Sequence, residues 1–143
     1  MDPWTRLVLT ATAATMMALL TTVGASRADE YDALRNDPEV ENGVLIVAIG
    51  DLIRDNCPSI EDRRARSIPF LIGLVNRAQS LGYSRSEIED YIDDDAEQAR
   101  VMARAQTWLV QEGADLAAPE TICTVARDEI SAQSVIGRLI RER

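Results

Sequence analysis

Ile53-Arg54-Asp55-Asn56-Cys57-Pro58-Ser59-Ile60-Glu61 is the stretch on which the reading of this chain turns. Apolar residues at helical spacing run into it, and Pro58 stops that helix because the residue before a proline is pushed out of helical geometry. Ser59 can then cap a new helix, with Glu61 and Asp62 in its first turn. The stretch also carries one of only two cysteines, and the other, Cys123, lies 66 positions downstream. A bond between them ties the first half of the chain to its last helix.

Working outward, Pro38 suits the first turn of a helix, and Glu39 and Glu41 sit near its positive end. Val40, Val44, Val47, Ala48 and Leu52 keep helical register up to the stop at Pro58, with Leu45, Ile46, Ile49 and Ile53 widening the apolar surface. Residues 29–37 are polar and read as a lead-in. The second helix is expected from Ser59 to the left-handed cap at Gly82, with Ile68, Leu71, Ile72 and Val75 as its buried stripe and Pro69 kinking or restarting it. Ser84-Arg85-Ser86-Glu87 is a capping box, so a third helix begins at once and runs to Gly113. Pro119 opens the fourth, buried through Ile122, Val125, Ala126, Ile130, Ile136, Leu139 and Ile140, with Arg138, Arg141 and Arg143 where the dipole favours cations. Strand-like alternation is nowhere sustained. The expected fold is all-α: a compact four-helix bundle with one disulfide.

The first segment reads as an address. Arg6 precedes an apolar run over residues 7–23, and small residues at Ser26 and Ala28 complete a secretory signal peptide cleaved after Ala28. The apolar run is short of the roughly 20 residues that span a bilayer, which disfavours an uncleaved anchor. Residues 1–28 are then the signal peptide and residues 29–143 a single helical domain in the periplasm, with no direct membrane insertion after cleavage. Export decides how the cysteines are read, since an even count in an oxidising compartment pairs.

Composition narrows the chemistry. The chain is 46% hydrophobic but only 4% aromatic, so its core is built from Leu, Ile, Val and Ala, which suits helices. It has no His, and all 15 of its basic residues are Arg. The usual neutral-pH general base, the commonest metal ligand and the amine nucleophile are therefore missing. The net charge of −9 opposes nucleic acid binding through a basic groove. Asp93-Asp94-Asp95-Ala96-Glu97 lacks the ligand alternation and central glycine of a calcium loop and reads as a solvated acidic helix face. Glu129 with Ser134, or Glu87 with Tyr91, are acid and hydroxyl pairs found on any helix face, and nothing activates the hydroxyl. No catalytic residue, metal ligand or cofactor is expected. An exposed motif of Asp55, Asn56 and Pro58, with Arg63 and Arg66 beside it, is the candidate contact surface. The plainer reading, which is favoured, has Asn56 ending the helix, Asp55 paired with a nearby Arg, and the Arg63, Arg64, Arg66 cluster solvated.

Arg54-Asp55-Asn56-Cys57-Pro58-Ser59-Ile60, Gly82-Tyr83-Ser84 with Glu87-Ile88, then Cys123, Glu129-Ile130, Ser134 and Ile136-Gly137-Arg138-Leu139 resemble an uncharacterised alphaproteobacterial family of small exported helical proteins, one of the catalogued domains of unknown function. The resemblance implies a periplasmic helical protein and brings no catalytic residue. It also suggests an accessory subunit on the periplasmic face of a respiratory membrane complex, an NADH:quinone oxidoreductase, so a protein partner is expected. The alternative is a stress or acid-responsive holdase-like protein, because the many carboxylates lose charge at low pH.

Overall fold

The computed structural model describes residues 30–143. The signal peptide, its cleavage and the competing anchor lie outside the described residues. The elements in chain order are α1 (Asp32–Asn36), α2 (Pro38–Asn56), β1 (Ile60–Asp62), α3 (Arg64–Ser80), α4 (Arg85–Asp93), α5 (Asp95–Gln111), α6 (Pro119–Ala132), α7 (Val135–Leu139) and β2 (Ile140–Glu142). The fold is mostly helical and not all-α, and the expected four-helix count does not hold: seven helices are described, with one small sheet.

Helix α2 starts and stops where its sequence dictates, with Pro38 at its first position and Asn56 at its last. It is the central element. Its largest packing interface is with α5, and it also meets α1, α3, α6 and α7. Cys57, with no exposed surface, follows directly and is bonded to Cys123 in α6 across 5.5 Å between Cα atoms. Around that bond packs the larger core, in which Ile49, Ile53, Leu109, Ile122 and Ile140 are almost wholly enclosed. A second core gathers Tyr31, Leu34, Val40, Ala78, Ile88 and Tyr91, with the Tyr31 and Tyr91 rings edge to face at 5.0 Å. Val44 of α2 touches both.

Several boundaries differ from the sequence reading, each for a local reason. Residues 29–37 are not simply a polar lead-in. Residues 32–36 form α1, because Tyr31 and Leu34 bury themselves in the second core and Asp37 caps the next helix by accepting from the Val40 N–H at 3.0 Å. Ser59 does not cap a helix. Ile60–Asp62 pairs antiparallel with Ile140–Glu142, register Glu61 opposite Arg141, and α3 begins only at Arg64. The expected third helix is two helices, since Asp94 leaves helical geometry and accepts from the Ala96 and Glu97 N–H groups as the cap of α5. The expected fourth helix likewise ends at Ala132, turns through Gln133 at φ 52°, and restarts under the Ser134 cap. A close approach holds that corner together: a Cβ on Gly137 would lie 1.9 Å from the Glu129 carbonyl oxygen. The boundary between α3 and α4 is as read. Gly82 takes φ 101°, Tyr83 N–H reaches the Ala78 carbonyl, and Ser84 and Glu87 form a reciprocal box.

The stripe expected to bury α3 is the largest correction. Ile68, Leu71 and Ile72 are 53%, 45% and 54% exposed, whereas Val75 of the same expected stripe packs against the second core, and α3 meets α2 through Leu74. The reason is Gly43, whose bare Cα admits Leu74 so closely that a Cβ there would lie 2.1 Å from the leucine. This seat sets the rotation of α3. Pro69 lies within the helix and does not divide it.

Closing a loop of this size by a disulfide contributes about 4 kcal/mol through the unfolded chain. Replacing Cys57 and Cys123 together by Ser is expected to lower the unfolding free energy by about that amount, read from urea transitions of the two proteins. A change below about 1 kcal/mol would mean that core burial alone sets the stability.

Candidate functional site

The sheet gathers arginines that are far apart in sequence. Antiparallel pairing of β1 with β2 is extended at both ends, by Arg63 N–H to the Leu139 carbonyl at 2.8 Å and Arg143 N–H to the Ser59 carbonyl at 2.9 Å. Arg141 and Arg143 are thereby carried alongside Arg63, Arg64 and Arg66, and Arg54 reaches in from the last turn of α2. The result is an open cleft of about 800 Å³. Six guanidinium groups line it against two carboxylates, Glu61 and Asp62, a local charge of +4 on a chain of net −9.

Not all six are equally engaged. Arg54 pairs with Asp51 and Asp62, and its Nε is buried without an acceptor. Arg141 and Arg143 share Glu61, at 2.7 and 3.5 Å. Arg63, Arg64 and Arg66 have no ion pair among the described residues. They also stand where arginine is least favoured, at the cap position and first turn of α3, against the positive end of the helix dipole and with no acidic residue in that turn. Burial beside Asp55 and Asp62 raises the Asp51 pKa, with Arg54 pulling it back down.

The candidate contact residues do not all belong to this cleft. Arg63 and Arg66 line it. Asp55 and Pro58 are exposed at the end of α2, where Asp55 makes no ion pair among the described residues and Arg54 has taken Asp51 and Asp62 instead. Asn56 donates its side-chain amide to the Leu52 carbonyl at 2.8 Å and closes the last turn of α2. Arg141 and Arg143, read from sequence as helix-end cations, belong to the cleft because their segment is a strand. The reversed charge at the start of α3 is the available signal, and a helix start at Ser59 hides it by putting Glu61 and Asp62 in the first turn.

One member of each acid and hydroxyl pair serves a helix cap. Ser134 Oγ accepts from the Gly137 N–H at 2.9 Å, and Glu87 accepts from the Ser84 N–H at 2.7 Å. Among the described residues no cluster of His, Cys, Asp and Glu has the arrangement of a metal site.

A second polar assembly joins α1, α2 and α5. Buried Glu97 accepts from Arg35 at 2.6 Å and from Arg100 at 3.0 Å, Arg100 also grips Glu41 at 2.6 Å, and Arg104 closes on the same Glu41. Burial pushes the Glu97 pKa up, but the hydrogen bonds and charges of Arg35 and Arg100 outweigh it and leave it lowered. Asp37 is lowered by its hydrogen bonds from Arg77 and from the Val40 N–H. Both groups therefore add stability that is present above the ordinary carboxylate range near pH 4 and is lost as pH falls through their depressed values.

Two predictions follow from these charges. Arg66→Glu is expected to stabilise the protein by about 0.5–1 kcal/mol in urea unfolding, since it reverses an unfavourable dipole contact and thins a crowd of like charges. A loss of stability would assign Arg66 to the fold instead. Glu97→Gln is expected to cost about 2 kcal/mol at pH 7 and to flatten the fall in stability between pH 5 and pH 3, read from unfolding transitions across that range. An unchanged acid limb would place the titrating groups elsewhere.

No curated protein and no solved structure matches this chain. A protein family does, over residues 32–141, from α1 to the second residue of β2 and so across both cores, the disulfide and most of the cleft. The chain belongs to the Family of unknown function (DUF5333).

Proposed function

We propose that this protein is a non-catalytic helical interaction module, exported to the periplasm, that engages a protein partner through the arginine cleft. The observation that carries the reading is the set of unpaired arginines at the start of α3, held at a cost to the fold and opening onto an exposed apolar helix face. Such a surface suits recognition of carboxylates by guanidinium groups. The missing His and Lys, and the caps that occupy Ser134 and Glu87, support the absence of catalysis. The disulfide is consistent with an oxidising compartment. A respiratory membrane complex, of the NADH:quinone oxidoreductase kind that the family resemblance suggested, is the partner we propose.

A second reading has one observation in its favour. The assembly around Glu97, Glu41 and Asp37 joins α1, α2, α5 and α3 through carboxylates that work only when ionised, so acid would loosen the second core and expose apolar surface, as a holdase requires.

The test is migration on a native gel of membranes from cells making the protein at native level, detected with an antibody because a tag after Arg143 would crowd the cleft. The expected result is co-migration with a large complex, abolished in an Arg63→Glu, Arg66→Glu double variant. A soluble monomer that binds unfolded clients only below about pH 4 would replace this reading with the second.

A further inference from the structure

Resting on the interaction-module reading, we infer that the partner presents an acidic amphipathic helix, which lies along α3 with its apolar face in the groove between α3 and α2 and its carboxylates on the cleft. The groove, about 160 Å³, is lined by Ile46, Val47, Gly50, Phe70, Leu71 and Leu139. It is open at Gly50, where an added Cβ would meet nothing within 4 Å. Ile68 and Ile72, one turn apart and both more than half exposed, continue the apolar surface along α3.

The groove and the cleft are one surface. Arg54 and Asp62 line both, so an apolar trough passes directly into the region of local charge +4. From Arg64 to Ile72 the helix advances about 12 Å, which two to three turns of a docked helix would cover. Anchors at i, i+3 or i+4, and i+7 on such a helix would reach the groove, while acidic residues at its end nearest Arg64 would meet three guanidinium groups without partners. Charge complementarity thus selects an acidic occupant and the trough selects a helix.

A membrane surface fits less well. A bilayer is flat, whereas the groove is recessed, and Asp51, Glu61 and Asp62 along its edge would face anionic headgroups. A second copy of this chain would have to offer its acidic α4, which carries exposed Ile92 beside Glu89, Asp90 and Asp93, to the basic end of the first. That contact joins unlike surfaces, so it closes only where the rotation between copies makes a ring or a reciprocal pair, a condition that a separate partner helix does not have to meet.

A photo-crosslinking residue placed at Ile72, in the full-length protein made at native level in its own host, tests the inference, with a second placed at Asp55 as a reference. Peptide mass spectrometry of the adduct is expected to find an acidic amphipathic segment of another protein. Arg64→Glu with Arg66→Glu is expected to cut the yield at least ten-fold while thermal unfolding shows the protein still folded. A lipid adduct, an adduct to residues 1–29 of the same chain, one to a second copy, or one to a basic or non-helical segment overturns the inference. If Ile72 yields no adduct while the large complex persists on the native gel, the groove assignment fails and the interaction-module reading stands. If the complex is missing as well, both fall.

Discussion

The bond between Cys57 and Cys123 is the constraint around which the rest is arranged. Cys57 ends α2 with no exposed surface, and its partner lies within the first turns of α6. The two helices are therefore held at one point, and the aliphatic side chains on either side fill the space that this contact defines. An aliphatic core of modest size gains from such a staple because the unfolded chain loses freedom that contacts alone would not remove. With that corner fixed, the chain after α6 has little choice. It turns at Gln133, packs Gly137 against the Glu129 carbonyl and returns along β1.

That return builds the arginine cleft. Two three-residue strands contribute little hydrophobic burial, but they bring the C-terminal arginines to the start of α3, where three more already crowd the positive end of a helix. A sequence under selection for stability alone would place Asp or Glu there. The cost of this arrangement, together with an exposed apolar face a few residues further along the same helix, locates the part of the molecule that departs from local rules. Departures of this kind concentrate at sites that have work to do.

The opposite end of the molecule obeys different physics. In the arginine and glutamate assembly Glu97 is buried and its partners are partly so, each carboxylate there is satisfied by guanidinium groups, and the tyrosine pair packs beneath it. The assembly adds charge pairing to the apolar contacts of Tyr31 and Leu34 that join α1 to its neighbours, so this part of the joint follows pH while the disulfide-centred core does not.

What the sequence determined by itself is local. Pro38 and Pro58 bound α2, Gly82 with the Ser84 and Glu87 box divides α3 from α4, and Pro119 opens α6, because each residue acts on its own backbone whatever surrounds it. The pairing of the two cysteines was also legible, since only one pairing exists. The rest belonged to the tertiary structure. Ser59 and Asp94 are both competent caps, yet only Asp94 acts as one, because residues 60–62 are drawn into a sheet by a strand some 80 positions away. Helical spacing read Ile68, Leu71, Ile72 and Val75 as the buried side of α3, yet only Val75 of these packs against a core, because periodicity does not say how far a helix is rotated against its neighbour. Gly43, on a different helix, made the choice by leaving room for Leu74. That rotation put the isoleucines outside and the cleft beside them, so the candidate site exists only through contacts between segments that the local sequence could not rank.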